Sequence, residues 1–117
     1  MSVTATRKTT IVYSGDTVGT QVVEAASNAA SPGSVEITDL SSGFNSITVP
    51  DGGTTPVAIT IKPPTGNTDS IIVKGVTGDT GVRIHNTDPT TLALDSSVTA
   101  IGLTAGAAIA GVRLYWT

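Results

Sequence analysis

Cysteine is absent from this 117-residue chain, so it has no disulfide framework, no thiolate nucleophile and no Cys-based zinc site. Histidine occurs once, which excludes a metal site needing two imidazoles from one chain. Aromatic residues make up 3% of the sequence, namely Tyr13, Phe44, Tyr115 and Trp116. That is few for the ring platforms on which sugars stack. Six Lys and Arg against nine Asp and Glu give a formal net charge of -3, so no basic face for nucleic acid is expected. No run approaches the roughly 18 apolar residues of a membrane span. The first eight residues, Met1 to Lys8, lack the basic-then-apolar order of a secretory signal. Glycine-rich phosphate loops and Asn-x-Ser/Thr glycosylation acceptors are also missing. The expectation is a chain used in a cytosol, or assembled there into something larger, with no membrane and no nucleic-acid partner.

Charge itself is scarce. Charged residues make up 13% of the chain, about half of the typical ~25%. Mean hydropathy is +0.22. A domain this small exposes much of its area and normally relies on charge to keep copies apart. Thr, Ser, Asn and Gly hydrate a surface without supplying repulsion. The sequence therefore predicts a homo-oligomer, with part of each surface buried against other subunits.

What is abundant is β-formers and turn residues. Thr, Val and Ile recur between 13 Gly and 6 Pro, which is β propensity cut at short intervals. Residues 1–8 read as a short extended N-terminal arm, with residues 9–117 as a single β-sandwich domain. Thr9–Tyr13 and Thr20–Ala25 read as strands, and Ala25–Ala30 is too short for a helix before Pro32-Gly33. In Val35–Leu40, Val35 and Ile37 alternate with Glu36 and Thr38, which predicts a half-buried strand with the two aliphatics inward. Ser46–Val49, ended by Pro50-Asp51-Gly52-Gly53, and Val57–Lys62, ended by Pro63-Pro64, are further strands. Ser70–Lys74, Val82–His85, Leu92–Leu94, Val98–Leu103 and Val112–Trp116 follow. The pattern places Ile71, Val73, Val82 and Ile84 inward. In the last strand it sets Val112, Leu114 and Trp116 against Arg113, Tyr115 and Thr117. Nine or ten short strands without a helix predict an all-β fold, an antiparallel β-sandwich or jelly-roll-like barrel.

Few residues invite a chemical reading. Asp79-Thr80-Gly81 matches the catalytic triplet of aspartic proteases, but Thr77-Gly78 precede it and Val82 follows, and Ala110-Gly111 is a poor match to that family's later apolar-apolar-Gly element. A hairpin turn, with Asp79 capping backbone N–H groups and Gly81 at positive φ, fits better. His85 is expected to face solvent or an interface, and no nucleophile can be placed beside it. Asp69, Asp79, Asp88 and Asp95 lie on separate loops without calcium-loop spacing, so turn capping explains each. Trp116 shares parity with Val112 and Leu114, which predicts burial in the core or an interface. No catalytic residue, metal or cofactor is expected, and the chain reads as a non-enzyme. Arg7 and Lys8 sit on the arm, either as a solvated tail or as an element that orders on a neighbouring subunit.

Four stretches carry a resemblance. They are Ile59-Thr-Ile-Lys-Pro-Pro-Thr-Gly-Asn67, then Val73-Lys-Gly-Val-Thr-Gly-Asp-Thr-Gly81, and then His85-Asn-Thr-Asp-Pro89 with Leu92-Ala-Leu94. Together they resemble small virion proteins of tailed bacteriophages, over about half the chain (57–116) and through strand and turn punctuation. The resemblance implies a small β module working in many copies, either a trimeric capsid decoration (cement) protein or a small tail or baseplate protein. On that reading the partners are the major capsid protein or other virion proteins. The location is the virion, assembled in the bacterial cytoplasm. Thr6, Arg7, Lys8 and Thr9, with Tyr115 and Trp116, are the candidate interface residues. A glycan- or receptor-binding module is the reading from a different class.

Overall fold

The computed structural model describes residues 4–5, 8–13, 21–26, 31–32, 34–50, 58–95 and 97–117, with strand pairing alone for those before Ser34. Among these residues every regular element is a strand. The first four strands, β1 (Thr4–Ala5), β2 (Lys8–Tyr13), β3 (Gln21–Ala26) and β4 (Ser31–Pro32), form two nested antiparallel pairs. In them β2 pairs with β3 and β1 with β4. The segment read as an arm thus contains β1 and the start of β2. Of the stretches read from sequence, 27–30 and 51–53 lie outside the described residues, as do Thr20, Gly33 and Val57.

Eight further strands build the sandwich: β5 (Ser34–Leu40), β6 (Gly43–Thr48), β7 (Ala58–Lys62), β8 (Ile71–Lys74), β9 (Val82–Arg83), β10 (Thr90–Ala93), β11 (Ala100–Ala105) and β12 (Ile109–Trp116). One sheet has the order β10-β7-β12-β5 and the other β6-β11-β8-β9, with every neighbour antiparallel. The chain changes sheet at each step except the β8–β9 hairpin. Eight antiparallel strands wound this way make a jelly roll, as the strand count and turn spacing predicted. Ser41 and Ser42 alone join β5 to β6, too short a link to cross the sandwich, so these two edge strands lie on the same side. The β9 and β10 edges therefore lie on the other.

The core follows the period-2 rule of strands. Ile59 and Ile61 of β7 and Val112, Leu114 and Trp116 of β12 point inward from one sheet. Ile47 of β6, Ile71 of β8 and Ile101, Leu103 and Ala105 of β11 meet them from the other. Each fully buried Leu or Ile side chain contributes about 1.5–3 kcal/mol relative to exposure. In β12 the parity slips once. Gly111, at φ +78, sits in a bulge between Ile109 and Val112, so both of these reach the core although they are three apart. Asp39 Oδ1 accepts the Gly111 N–H at 2.9 Å and holds the bulge against β5.

Three inward assignments made from sequence are corrected. Val35 and Ile37 are 62% and 64% exposed. The β5–β12 register sets Glu36 opposite Leu114 and Thr38 opposite Val112, while Val35 and Ile37 stand beside Tyr115 and Arg113 on the outer face. The alternation was right, but the face it assigned to the core was the solvent face. Val82 is 68% exposed because β9 is a two-residue edge strand, and its core-side neighbour Ile84 alone is buried.

Candidate interaction surface

Of the four loop aspartates, Asp79 and Asp95 cap turns through their carboxylates, whereas Asp69 and Asp88 join their loops through their backbone N–H groups. In the β8–β9 turn Asp79 Oδ2 accepts the N–H groups of Gly75 and Val76 at 3.1 and 2.9 Å, and Gly81 adopts φ +74. Asp79-Thr80-Gly81 is therefore the predicted capped turn. Asp95 Oδ1 accepts the Ser97 hydroxyl and N–H at 2.6 and 2.8 Å, and these bonds hold its carboxyl below the ordinary carboxylate value. His85 is exposed, and its Nδ1 accepts from the Asp88 and Thr87 N–H groups at 2.9 and 3.2 Å. In the loop before β8, the backbone N–H of Asp69 donates to Asn67 Oδ1, and Asn67 Nδ2 ties that loop to the Asn86 carbonyl. No group of three His, Asp or Glu among the described residues could hold a metal ion.

The six interface candidates fall in different places. Thr6 and Arg7 lie outside the described residues. Lys8 and Thr9 open β2, opposite Ala26 and Ala25. Tyr115 is half-buried on the outer face of the β10-β7-β12-β5 sheet. Trp116 is 1% exposed within the sandwich, the core alternative of its two predicted settings, and its Nε1 points to Glu36 Oε2 at 3.4 Å.

The outer face carrying Tyr115 can be read row by row from the pairing. One row runs Ile37, Arg113, Lys62; the next runs Val35, Tyr115, Thr60, Thr91, with the last two hydroxyls 2.8 Å apart. A groove of about 370 Å³ opens between Lys62, Arg113, Tyr115 and the Pro63-Pro64 turn. Arg113 and Lys62 are directly opposite cations, an arrangement that costs stability in a sheet. Lys62 Nζ donates to the Thr87 carbonyl at 2.6 Å.

The large exposed aliphatics cluster in two places. Val35 and Ile37 lie on the free edge strand β5, while Val82 and Val76 (63% exposed) lie on the edge strand β9 and its turn, on the opposite side of the sandwich. Sequence reasoning missed both patches. For β5 a signal was available, since Leu40, the last residue of the strand, shares parity with Glu36 and Thr38 and not with Val35 and Ile37. For β9 there was none, because Val82 shares parity with the buried Ile84 and only the shortness of the strand exposes it.

No family model, curated protein or solved structure matches this chain.

Proposed function

We propose that this chain is a structural virion protein, an oligomeric decoration protein that binds the exterior of a bacteriophage head and stabilises the shell. The observation that carries the reading is the pair of aliphatic patches, each residue more than 60% exposed, at both edges of a sandwich with few charges. Exposed aliphatics grouped on unpaired sheet edges are where a further chain can add. The turn-bound carboxylates and His85 add to this, since the described polar groups stabilise loops and leave the edges as the chemically distinctive surface. The jelly roll alone carries no function, because the same architecture hosts many. A many-copy assembly can work with individually weak contacts, because linked contacts add up in avidity.

The test is quantitative mass spectrometry of particles purified from the encoding phage, before and after the chain is removed genetically. The expected result is a copy number that scales with the major shell subunit, and empty or heat-labile heads without the chain. Absence from particles overturns the proposal. A small fixed copy number that stays with isolated tails overturns the capsid placement in favour of a tail or baseplate role.

A further inference from the structure

We infer that copies of this chain associate head to tail, the β5 edge of one copy docking on the β9 edge and adjoining turn of the next. The inference rests on the self-association in the proposed function, and it names the two surfaces involved. Both edges present unpaired backbone groups, since no described strand pairs with their outer sides. Both present two aliphatic side chains, Val35 and Ile37 on one, Val76 and Val82 on the other. Their charges are opposite. Strand β5 contributes Glu36 and Asp39, with Arg113 on the strand beside it, whereas β9 contributes Arg83, with Lys74 on the strand beside it and Asp79 in the adjoining turn. The carboxylates of Asp79 and of Asp39 both accept backbone N–H groups, so the β5 side keeps an excess of acid and the β9 side an excess of base.

The alternative pairings of copies are each opposed by like charge. Two β5 edges would bring Glu36 and Asp39 against the same residues of the second copy. Two β9 edges would do the same with Arg83 and Lys74. Packing outer face on outer face would stack the Arg113–Lys62 pair on itself. Unlike edges satisfy charge and apolar burial together. Because β5 and β9 lie on opposite sides of the sandwich, each copy donates one edge and accepts at the other. Such heterologous contacts close into a ring when the rotation permits.

Two single variants and their mixture test this. Ile37→Glu spoils the β5 patch and leaves β9 intact; Val82→Glu does the reverse. Both positions are well exposed, so the fold is expected to survive, with circular dichroism and melting as controls. Light scattering at roughly 100 µM, well above a micromolar dissociation constant, should give the parent protein a mass of several times 11.7 kDa. Each variant should run at 11.7 kDa, and an equimolar mixture should give a two-chain complex through the one intact pair of patches. A single-chain parent protein, a variant that keeps the parental mass, or a mixture that stays single-chain overturns the inference. Val35→Glu and Val76→Glu form a second pair should either first variant fail to fold. A ring in solution from a chain missing from particles would sink the virion reading alone. A chain abundant in particles whose variants behave as the parent would sink only this interface.

Discussion

Alanine at Gly81 should damage this protein more than any change to Asp79, the residue two positions before it that most resembles a catalytic group. Gly81 sits at φ +74, and a Cβ there would fall 2.5 Å from the Val73 carbonyl oxygen and 2.7 Å from Ile72 Cγ2 and Lys74 Cγ. The left-handed backbone costs about 1–2 kcal/mol for a residue with a Cβ. Overlap with a strand carbonyl that cannot swing aside adds roughly 1–3 kcal/mol. A loss of about 3 kcal/mol lowers Tm by roughly 12 °C in a domain of this size. Asp79→Ala removes the acceptor of two N–H groups that can turn to water, so it should cost about 1–2 kcal/mol. Asp79→Asn keeps a carbonyl oxygen in place and should cost a few tenths, as conservative cap changes do. Thermal melts followed by circular dichroism check the order Gly81→Ala, Asp79→Ala, Asp79→Asn. If Asn proves as damaging as Ala at position 79, or Gly81→Ala leaves Tm unchanged, the turn account fails. Loss of a peptidase activity in a fully stable Asp79→Asn protein would return the triplet to chemistry.

Three further outcomes are expected. Leu103→Ala removes a fully buried side chain from the central strand β11 and should cost about 2–5 kcal/mol in urea unfolding; emission from the single, buried Trp116 gives the signal. Gly102→Ala places a Cβ against the Phe44 ring and 3.2 Å from the Lys74 carbonyl oxygen. It should cost about 1–3 kcal/mol, with a smaller loss in a Phe44→Ala background, and equal losses would exclude the ring as the cause. Asp95 is held below its ordinary value by the Ser97 hydroxyl and N–H, so its contribution to stability is present above that value and fades as pH falls through the lowered one. Ser97→Ala should raise the Asp95 midpoint in an NMR titration, and Asp95→Asn should flatten the acid limb of Tm against pH.

Strand existence was legible in the sequence, and strand facing was legible only where the chain left one choice. In β12 Val112, Leu114 and Trp116 alternate with Arg113 and Tyr115, and a cation on one parity fixes which face is wet. In β5 both parities carry mixed residues: Val35, Ile37 and Asp39 on one, Glu36, Thr38 and Leu40 on the other. Leu40 hints at the second parity, and pairing with β12, far along the chain, decides for it. The capped turns at Asp79 and Asp95 were readable because Asx capping is local and reaches no more than four residues. The exposed patches were not, because exposure at an edge depends on which strand has no neighbour, a property of the whole sheet order. Gly111 shows the same limit, since its bulge serves the alignment of Ile109 with Val112 and answers to Asp39, 72 positions earlier.

Free edges are usually guarded by lysine, proline, a bulge or brevity. Strand β5 has seven residues, no lysine and no proline within it, and it turns two aliphatics to water. A lone domain built this way, with little charge to keep copies apart, is prone to indiscriminate strand pairing. Placing carboxylates on β5 and cations at β9 restricts that tendency without removing it: like edges repel, unlike edges attract, and association acquires a direction. Directional association between edges on opposite sides has two ends, a closed ring or an open filament. The proposed decoration role favours the ring, because a ring presents no unsatisfied edge to capture further copies. By the same reasoning, Arg83→Glu, which makes both edges acidic, should reduce assembly to single chains at low salt and recover part of it at high salt, where the Debye length falls to about 3 Å at 1 M. Sedimentation across a salt series reads the difference. Assembly of Arg83→Glu indistinguishable from the parent at low salt would show that the charges of the two edges do not select the partner.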